Sequence, residues 1–282
     1  MCATCGCGDD GATVTAMNAR ATSRPDVSGH AHPHDHHHDQ DHHHGHDHDH
    51  DHDHVHTETI TLEQKVLAKN DLLAERNREW LAERHILAFN LTSSPGAGKT
   101  TLLERTIRDV SRDRPVAVIE GDQETLLDAD RITAAGARAV QVNTGAGCHL
   151  DAAMVHRALQ ALEPEPDSIL FIENVGNLVC PALFDLGEHS KVVIISVTEG
   201  DDKPLKYPHM FAAAGVVIVN KIDLLPYVAF DLEKCCAHVR SMNRGAEILP
   251  MSATTGDGSA GWYDWIDTQA NSALSLRPVD KT

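Results

Sequence analysis

Residues 86–101 read ILAFNLTSSPGAGKTT, and LLERTIRDV follows at 102–110. An apolar run gives way to a Ser/Pro/Gly stretch and then to a helical pattern, which predicts a strand, a loop and a helix in immediate succession. Within SSPGAGKTT (93–101), Gly96 and Gly98 let backbone amides turn toward phosphate oxygens, Lys99 can reach the β- and γ-phosphates, and the Thr100 hydroxyl can ligate magnesium. Gly96, Ala97, Gly98, Lys99, Thr100 and Thr101 are the expected phosphate-binding set. The stretch departs from the GxxxxGK[ST] pattern only at Ser93, where the first Gly would stand.

Six further apolar runs lie downstream: PVAVIE (115–120), RAVQVN (138–143), SILFIE (168–173), KVVIISV (191–197), GVVIVN (215–220) and AEILPM (246–251). Their hydrophobicity is continuous rather than alternating, so each strand should be buried on both faces. With helical stretches between them, the fold class is α/β: a doubly wound, mostly parallel sheet with helices on both faces, spanning 85–282. In such a fold the functional loops collect at the C-terminal ends of the strands. Ahead of it, residues 61–84 predict an amphipathic helix. Leu62, Val66, Leu73 and Trp80 share one face, Leu67, Leu72 and Leu81 widen it, and Thr61 with Gln64 fits a capping box.

The strand ends supply the rest of a nucleotide site. GVVIVN runs into NKID (220–223), a guanine-reading pattern in which Asp223 accepts from guanine N1 and N2, Asn220 holds the loop and the Lys221 stem covers the ring. SAT (252–254) resembles the loop whose backbone amide meets guanine O6, which adds Ser252 and Ala253. Adenine lacks the donor pair that Asp223 would need, so GTP is favoured over ATP. Asp122, after PVAVIE, is the expected magnesium-linked switch carboxylate. SILFIE ends in ENVG (173–176), where Glu173 would bind magnesium through water and the Gly176 amide would meet the γ-phosphate.

A second chemistry lies beside the first. Cys148 and His149 follow the RAVQVN strand, and Cys180 lies four residues beyond Gly176, so two thiolates and an imidazole can meet at one sheet edge and take nickel or zinc. Cys2, Cys5 and Cys7 head the chain; with a freed α-amine they form an S₃N set suited to square-planar nickel(II), and zinc is the alternative. Fifteen of the 21 histidines fall between His30 and His56. That tract is too polar to fold alone, so residues 1–60 are expected to be a disordered metal-binding region and the tract a metal reservoir. Seven cysteines, an odd number, argue for metal ligands or free thiols over a disulfide framework. The net charge of −18 leaves no basic patch, which excludes nucleic acid and anionic membrane surfaces as partners. No signal peptide and no long apolar span is apparent, so a cytoplasmic location is expected.

In the order CATCGC, His-rich insert, SSPGAGKT, EGDQET, TGAGCHLD, ENVGNLVCP and NKID, the chain resembles the HypB family of hydrogenase nickel-insertion GTPases over essentially its whole length. The resemblance implies a homodimerising GTPase that works with a HypA-type metallochaperone to insert nickel into the NiFe hydrogenase large-subunit precursor. It also implies that Cys148, His149 and Cys180 form a metal site in the GTPase domain, and that Cys2, Cys5 and Cys7 form a high-affinity nickel site. Urease-type nickel-insertion GTPases share the loops but have CPH where this chain has an adjacent Cys-His pair. A nickel-storage protein with GTP as a conformational switch is the alternative of another class; GTP turnover separates the two.

Overall fold

Each of the seven apolar runs forms a strand, because Val, Ile and Leu at consecutive positions fill both faces of a covered sheet. The computed structural model describes residues 13–16, 53–111, 114–122, 127–145 and 147–275, with backbone alone at 16, 53–63, 122, 127–130, 274 and 275. The strands are β1 (Thr13–Ala16), β2 (Leu87–Ser93), β3 (Val116–Asp122), β4 (Arg138–Asn143), β5 (Ile169–Glu173), β6 (Ser190–Ser196), β7 (Ala214–Asn220) and β8 (Glu247–Pro250). The helices are α1 (Asp53–Glu83), α2 (Lys99–Val110), α3 (Leu127–Ala135), α4 (Ala152–Leu162), α5 (Lys203–Lys206), α6 (Pro208–Ala212), α7 (Leu232–Met242) and α8 (Ser259–Ser275). The sheet order is β1-β4-β3-β5-β2-β6-β7-β8. β2 to β8 pair in parallel, and β1 alone is antiparallel, on the β4 edge. From β2 the chain winds one way to β3 and β4, returns to β5 and then winds the other way, so the phosphate loop leaves from the middle of the sheet. This is the doubly wound α/β fold expected from the sequence.

Helices cover both faces. On one face Leu102, Leu103 and Ile107 of α2, Ile132 of α3, and Trp262, Trp265 and Ile266 of α8 pack over Phe89, Leu91 and Phe171. On the other, Leu81 of α1 and Val155, Ala158 and Leu159 of α4 cover β3, β4 and β5, while Met210, Phe211, Cys235 and Val239 cover β6 and β7. Cys235 and Cys236 are both buried there, and burial pushes the Cys235 thiol up to about 12, so it is inert packing. Among the described residues no helix is long and apolar enough to cross a membrane.

Two features of the N-terminal region differ from the sequence expectation. α1 begins at Asp53, inside the segment assigned to 1–60, so Thr61 and Gln64 lie within the helix rather than at its start. The face it buries is only part of the expected stripe: Leu81 is buried and Trp80 packs on the core, but Leu72 is 69% exposed and Val66 36%, and Asn70, Ala74 and Asn77 face inward beside Leu81. The asparagines explain this. Asn77 Nδ2 donates to the carbonyls of Ala152 (2.9 Å) and Leu186 (3.1 Å), and Asn70 bonds the Asp185 carbonyl and the Ala152 amide. Buried amides that satisfy backbone groups fix the rotation of α1 together with Leu81. Strand β1, TVTA, was also not anticipated; Val14 packs against the cluster beneath α4.

Trp262 is the largest fully buried side chain, and its indole N–H donates to Thr106 Oγ1 at 2.9 Å, joining α8 to the helix of the phosphate loop. Trp262→Ala removes that packing and leaves a cavity, so unfolding by chemical denaturant should show a loss of about 3–5 kcal/mol. Trp262→Phe, which keeps a smaller aromatic ring in the core and loses the hydrogen bond, should lose less, about 1–3 kcal/mol.

Candidate functional site

The loop after β2 is shaped by two left-handed glycines, Gly96 at φ 72° and Gly98 at φ 99°. Gly98 is further constrained because a Cβ there would lie 2.5 Å from Asn220 Nδ2. Lys99 Nζ donates to Ser93 Oγ at 2.9 Å, so the residue that departs from the usual glycine holds the lysine in the loop. Thr100, at the start of α2, donates to Glu173 Oε1 at 2.8 Å, which brings a hydroxyl and a carboxylate together from two strand ends. That oxygen pair is a donor set suited to magnesium. A cleft of about 690 Å³ runs along this edge, lined by Gly96, Lys99, Thr100, Glu120, Glu173, Gly176, Asn177 and Lys221, and it reaches Cys148. Asp122 ends β3 at the same edge by its backbone, and its side chain lies outside the described residues.

Asn220, 1% exposed at the end of β7, joins three segments. Its Nδ2 donates to the Ala97 carbonyl at 2.8 Å; its Oδ1 accepts from the Lys221 amide at 2.8 Å and the Ala253 amide at 2.9 Å. Phosphate loop, NKID and SAT loop are thereby one rigid frame. Lys221 adopts φ 64°, a strained value for a residue with a Cβ, and its Nζ donates to the Gly96 carbonyl at 2.7 Å. Asp223 Oδ1 is buried and finds no hydrogen-bond donor among the described residues. Ser252 is fully buried, its hydroxyl accepting from the Thr255 amide at 3.1 Å. The Ala253 amide is engaged by Asn220, so an O6 contact from it would be shared. Arg105 clamps the outside of this loop through the carbonyls of Ala253 (2.7 Å) and Thr254 (2.8 Å).

Cys148, His149 and Cys180 come together as the sequence anticipated, their ligand atoms all within 4.8 Å of one another. The Cys148 thiol donates to Cys180 Sγ at 3.2 Å, and Cys148 Sγ lies 3.6 Å from His149 Nδ1. Burial holds the His149 imidazole below its ordinary value, against a weaker upward pull from Asp151, so it stands as a neutral ligand at physiological pH. Phe184 packs on the ring at 4.1 Å between centroids. Two thiols and a neutral imidazole form a soft donor set that fits nickel(II) or zinc. Cys2, Cys5 and Cys7 lie outside the described residues, as does the histidine tract up to residue 52.

Sequence reading gave no role to Asn174, Asn177, Arg105 or Lys203. Lys203 Nζ, paired with Glu199 at 3.1 Å, donates to Ser94 Oγ at 2.9 Å and so supports the phosphate loop from the β6 side. None of these carries a local signal, because each acts on a partner distant in sequence.

The CobW/HypB/UreG nucleotide-binding domain family matches residues 87–250. The chain is 58% identical over 210 residues to the hydrogenase maturation factor HypB of Escherichia coli K12, covering 74% of this chain and 72% of that one. Its fold is similar to the crystal structure of HypB from Archaeoglobus fulgidus, with a TM-score of 0.68 and 40% identity, over 72% of this chain and 99% of that one. It is also similar to HypB from Helicobacter pylori in complex with nickel, with a TM-score of 0.68 and 36% identity, over 76% and 100% of the two chains.

Removing the Asn220 carboxamide strips partners from the Ala97 carbonyl and the Ala253 amide, each worth about 1–3 kcal/mol when left unpaired in a buried position. Asn220→Ala should therefore lower the thermal midpoint and weaken nucleotide binding together. Differential scanning calorimetry with a parallel nucleotide titration checks this; a change in only one of the two would show that the loops are not held as a single frame.

Proposed function

The chain belongs to the HypB family of hydrogenase maturation factors, within the CobW/HypB/UreG group of nucleotide-binding domains, and from that premise we propose that it is a GTP-hydrolysing nickel carrier that inserts nickel into the NiFe hydrogenase large-subunit precursor. The observation that carries this reading is that one cleft is lined by both the phosphate loop and Cys148 of the thiol-imidazole cluster. A nucleotide and a soft metal ion would be held side by side on the same sheet edge.

In this reading Gly96, Ala97, Gly98 and Thr101 present the loop and helix α2 to the phosphates, and Lys99 leaves Ser93 for their charge. Thr100 and Asp122, with Glu173 through water, would hold magnesium, which would offset charge on the phosphoryl oxygens as water converts GTP to GDP and phosphate. Gly176 meets the γ-phosphate through its amide. At the base end, Asp223 accepts from guanine N1 and N2, and its buried, undonated Oδ1 supports that role. Asn220, Lys221, Ser252 and Ala253 complete the base pocket.

Nickel is cargo here, held by Cys148, His149 and Cys180, with zinc as the alternative occupant. Cys2, Cys5 and Cys7 supply a second nickel site, and residues 1–60 as a whole serve as a metal-holding region ahead of the GTPase domain, the histidine tract setting capacity. A second copy of this chain through the GTPase domain, a HypA-type metallochaperone and the hydrogenase precursor are the partners, in the cytoplasm. Hydrolysis of GTP separates this function from nickel storage governed by nucleotide binding alone.

Asp223→Asn should weaken GTP binding by about 10–100-fold, the loss of hydrogen bonds to a charged acceptor, and shift preference to xanthosine triphosphate. Calorimetric titration reads this, and unchanged GTP affinity would remove Asp223 from base recognition. Deleting residues 30–56 should reduce the nickel bound per chain, measured by elemental analysis, while leaving GTP turnover nearly intact. A large loss of turnover would place the tract in the hydrolytic cycle instead.

A further inference from the structure

Between the phosphate loop and the thiol-imidazole cluster runs a single segment, ENVGNLVC (173–180). Its first residue takes the Thr100 hydroxyl, and its last lies against Cys148. Gly176 packs on the phosphate loop without slack: a Cβ there would come 3.1 Å from Pro95 Cα and 3.2 Å from Pro95 N. Any shift of the phosphate loop at Pro95 is therefore felt at Gly176 by direct contact.

The next residue faces the other way. Asn177 Nδ2 donates to the Cys148 carbonyl at 3.2 Å, and its Oδ1 accepts from the Val179 amide at 2.8 Å. One carboxamide thus bridges the peptide of the first thiol and the turn that delivers the second. Three residues earlier, Asn174, 1% exposed, accepts from the Leu150 amide at 3.0 Å and donates to Asn90 Oδ1 at 3.3 Å. The Cys148–His149 pair is held from both ends by two asparagines of the segment that touches the phosphate loop.

Resting on the nickel-carrying GTPase reading above, we propose that Asn177 is the positioning residue that sets the spacing of Cys148 and Cys180 according to the nucleotide state. Metal–ligand distances tolerate only about 0.2 Å, so a small displacement of Asn177 against Cys148 changes affinity steeply. Coupling between two sites is reciprocal and is typically about 5–150-fold in affinity. The Asn177 amide donates to the Cys148 carbonyl through its nitrogen and accepts from the Val179 amide through its oxygen. Aspartate keeps the second bond and sets a carboxylate against the first, and alanine keeps neither.

The test uses the full-length chain with Cys2→Ser, Cys5→Ser and Cys7→Ser, so that thiolate-to-nickel charge-transfer absorption reports the remaining cluster. Nickel(II) is titrated with GDP and with a non-hydrolysable GTP analogue. In this parent protein the two affinities should differ by about 5–150-fold. Asn177→Ala should still form the thiolate–nickel band in both states, with the two affinities brought to within about twofold, against the coupling just cited. Asn177→Asp should lose the difference as well, and it decides the matter if the alanine variant does not fold. A parent ratio retained by both variants would overturn the relay through Asn177 and leave the nickel GTPase reading standing. Equal affinities in the parent would overturn the relay as well, and no thiolate–nickel band in either state would overturn the nickel-carrying reading.

Discussion

Parallel strands cannot be joined by a tight hairpin; after each strand the chain must cross a face of the sheet and return to the opposite edge. With β2 to β8 all parallel, every loop that leaves a strand's C-terminal end emerges on one side. The phosphate loop, Asp122, Cys148, Glu173, Asn220 and the SAT loop come from six different strands, yet they share that edge because the pairing direction leaves no other place for them. The reversal of winding at β2 puts the phosphate loop at its centre, where a crevice opens between loops that diverge to either side. The helices that make this geometry possible also bury the apolar faces of the strands, so the stability of the sheet and the assembly of the site follow from the same constraint.

A crevice alone does not fix side chains, and here buried carboxamides do that. Asn220 ties the loop after β2 to the NKID and SAT loops, Asn77 and Asn70 help set the rotation of α1, and Asn90 and Asn174 link β2 to the segment after β5. Asn90 also donates to Glu188, whose other oxygen accepts from the Leu186 amide beside the point where α1 docks. Each such group costs free energy when it is taken out of water and returns it only when its partners are in place. A network of this kind resists partial displacement: the loops move as a frame or stay.

That frame has one side at the glycine-rich loop after β2 and another at the thiols. Glu173 and Gly176 touch α2 and the phosphate loop, and Asn177 and Cys180 touch the Cys148 loop, with only a few residues between. A chain this short and this packed has little room to absorb a displacement at one end without passing it on. Burial holds the His149 imidazole below its ordinary value beside the two thiols.

The sequence by itself determined the strands, their parallel arrangement and which loops gather at one sheet edge. Those signals are local: an apolar run long enough to be buried on both faces, a glycine pattern before a helix, NKID after a strand. It also placed Cys148, His149 and Cys180 together, because parallel topology sends both of their loops to one edge. The buried face of α1 was only partly legible: Leu81 points in as expected, but Leu72 points outward and two asparagines, polar by any periodicity, point in to meet carbonyls on distant loops. Strand β1 was not legible either; TVTA is four residues long and is defined by pairing with β4 rather than by its own pattern. Asn174 and Asn177 stood in a motif whose roles had gone to Glu173 and Gly176, and their partners, Leu150 and Cys148, lie 24 and 29 residues away. Tertiary structure decided these because a hydrogen bond depends on where its partner stands in space, and a residue's own neighbours in sequence do not encode that position.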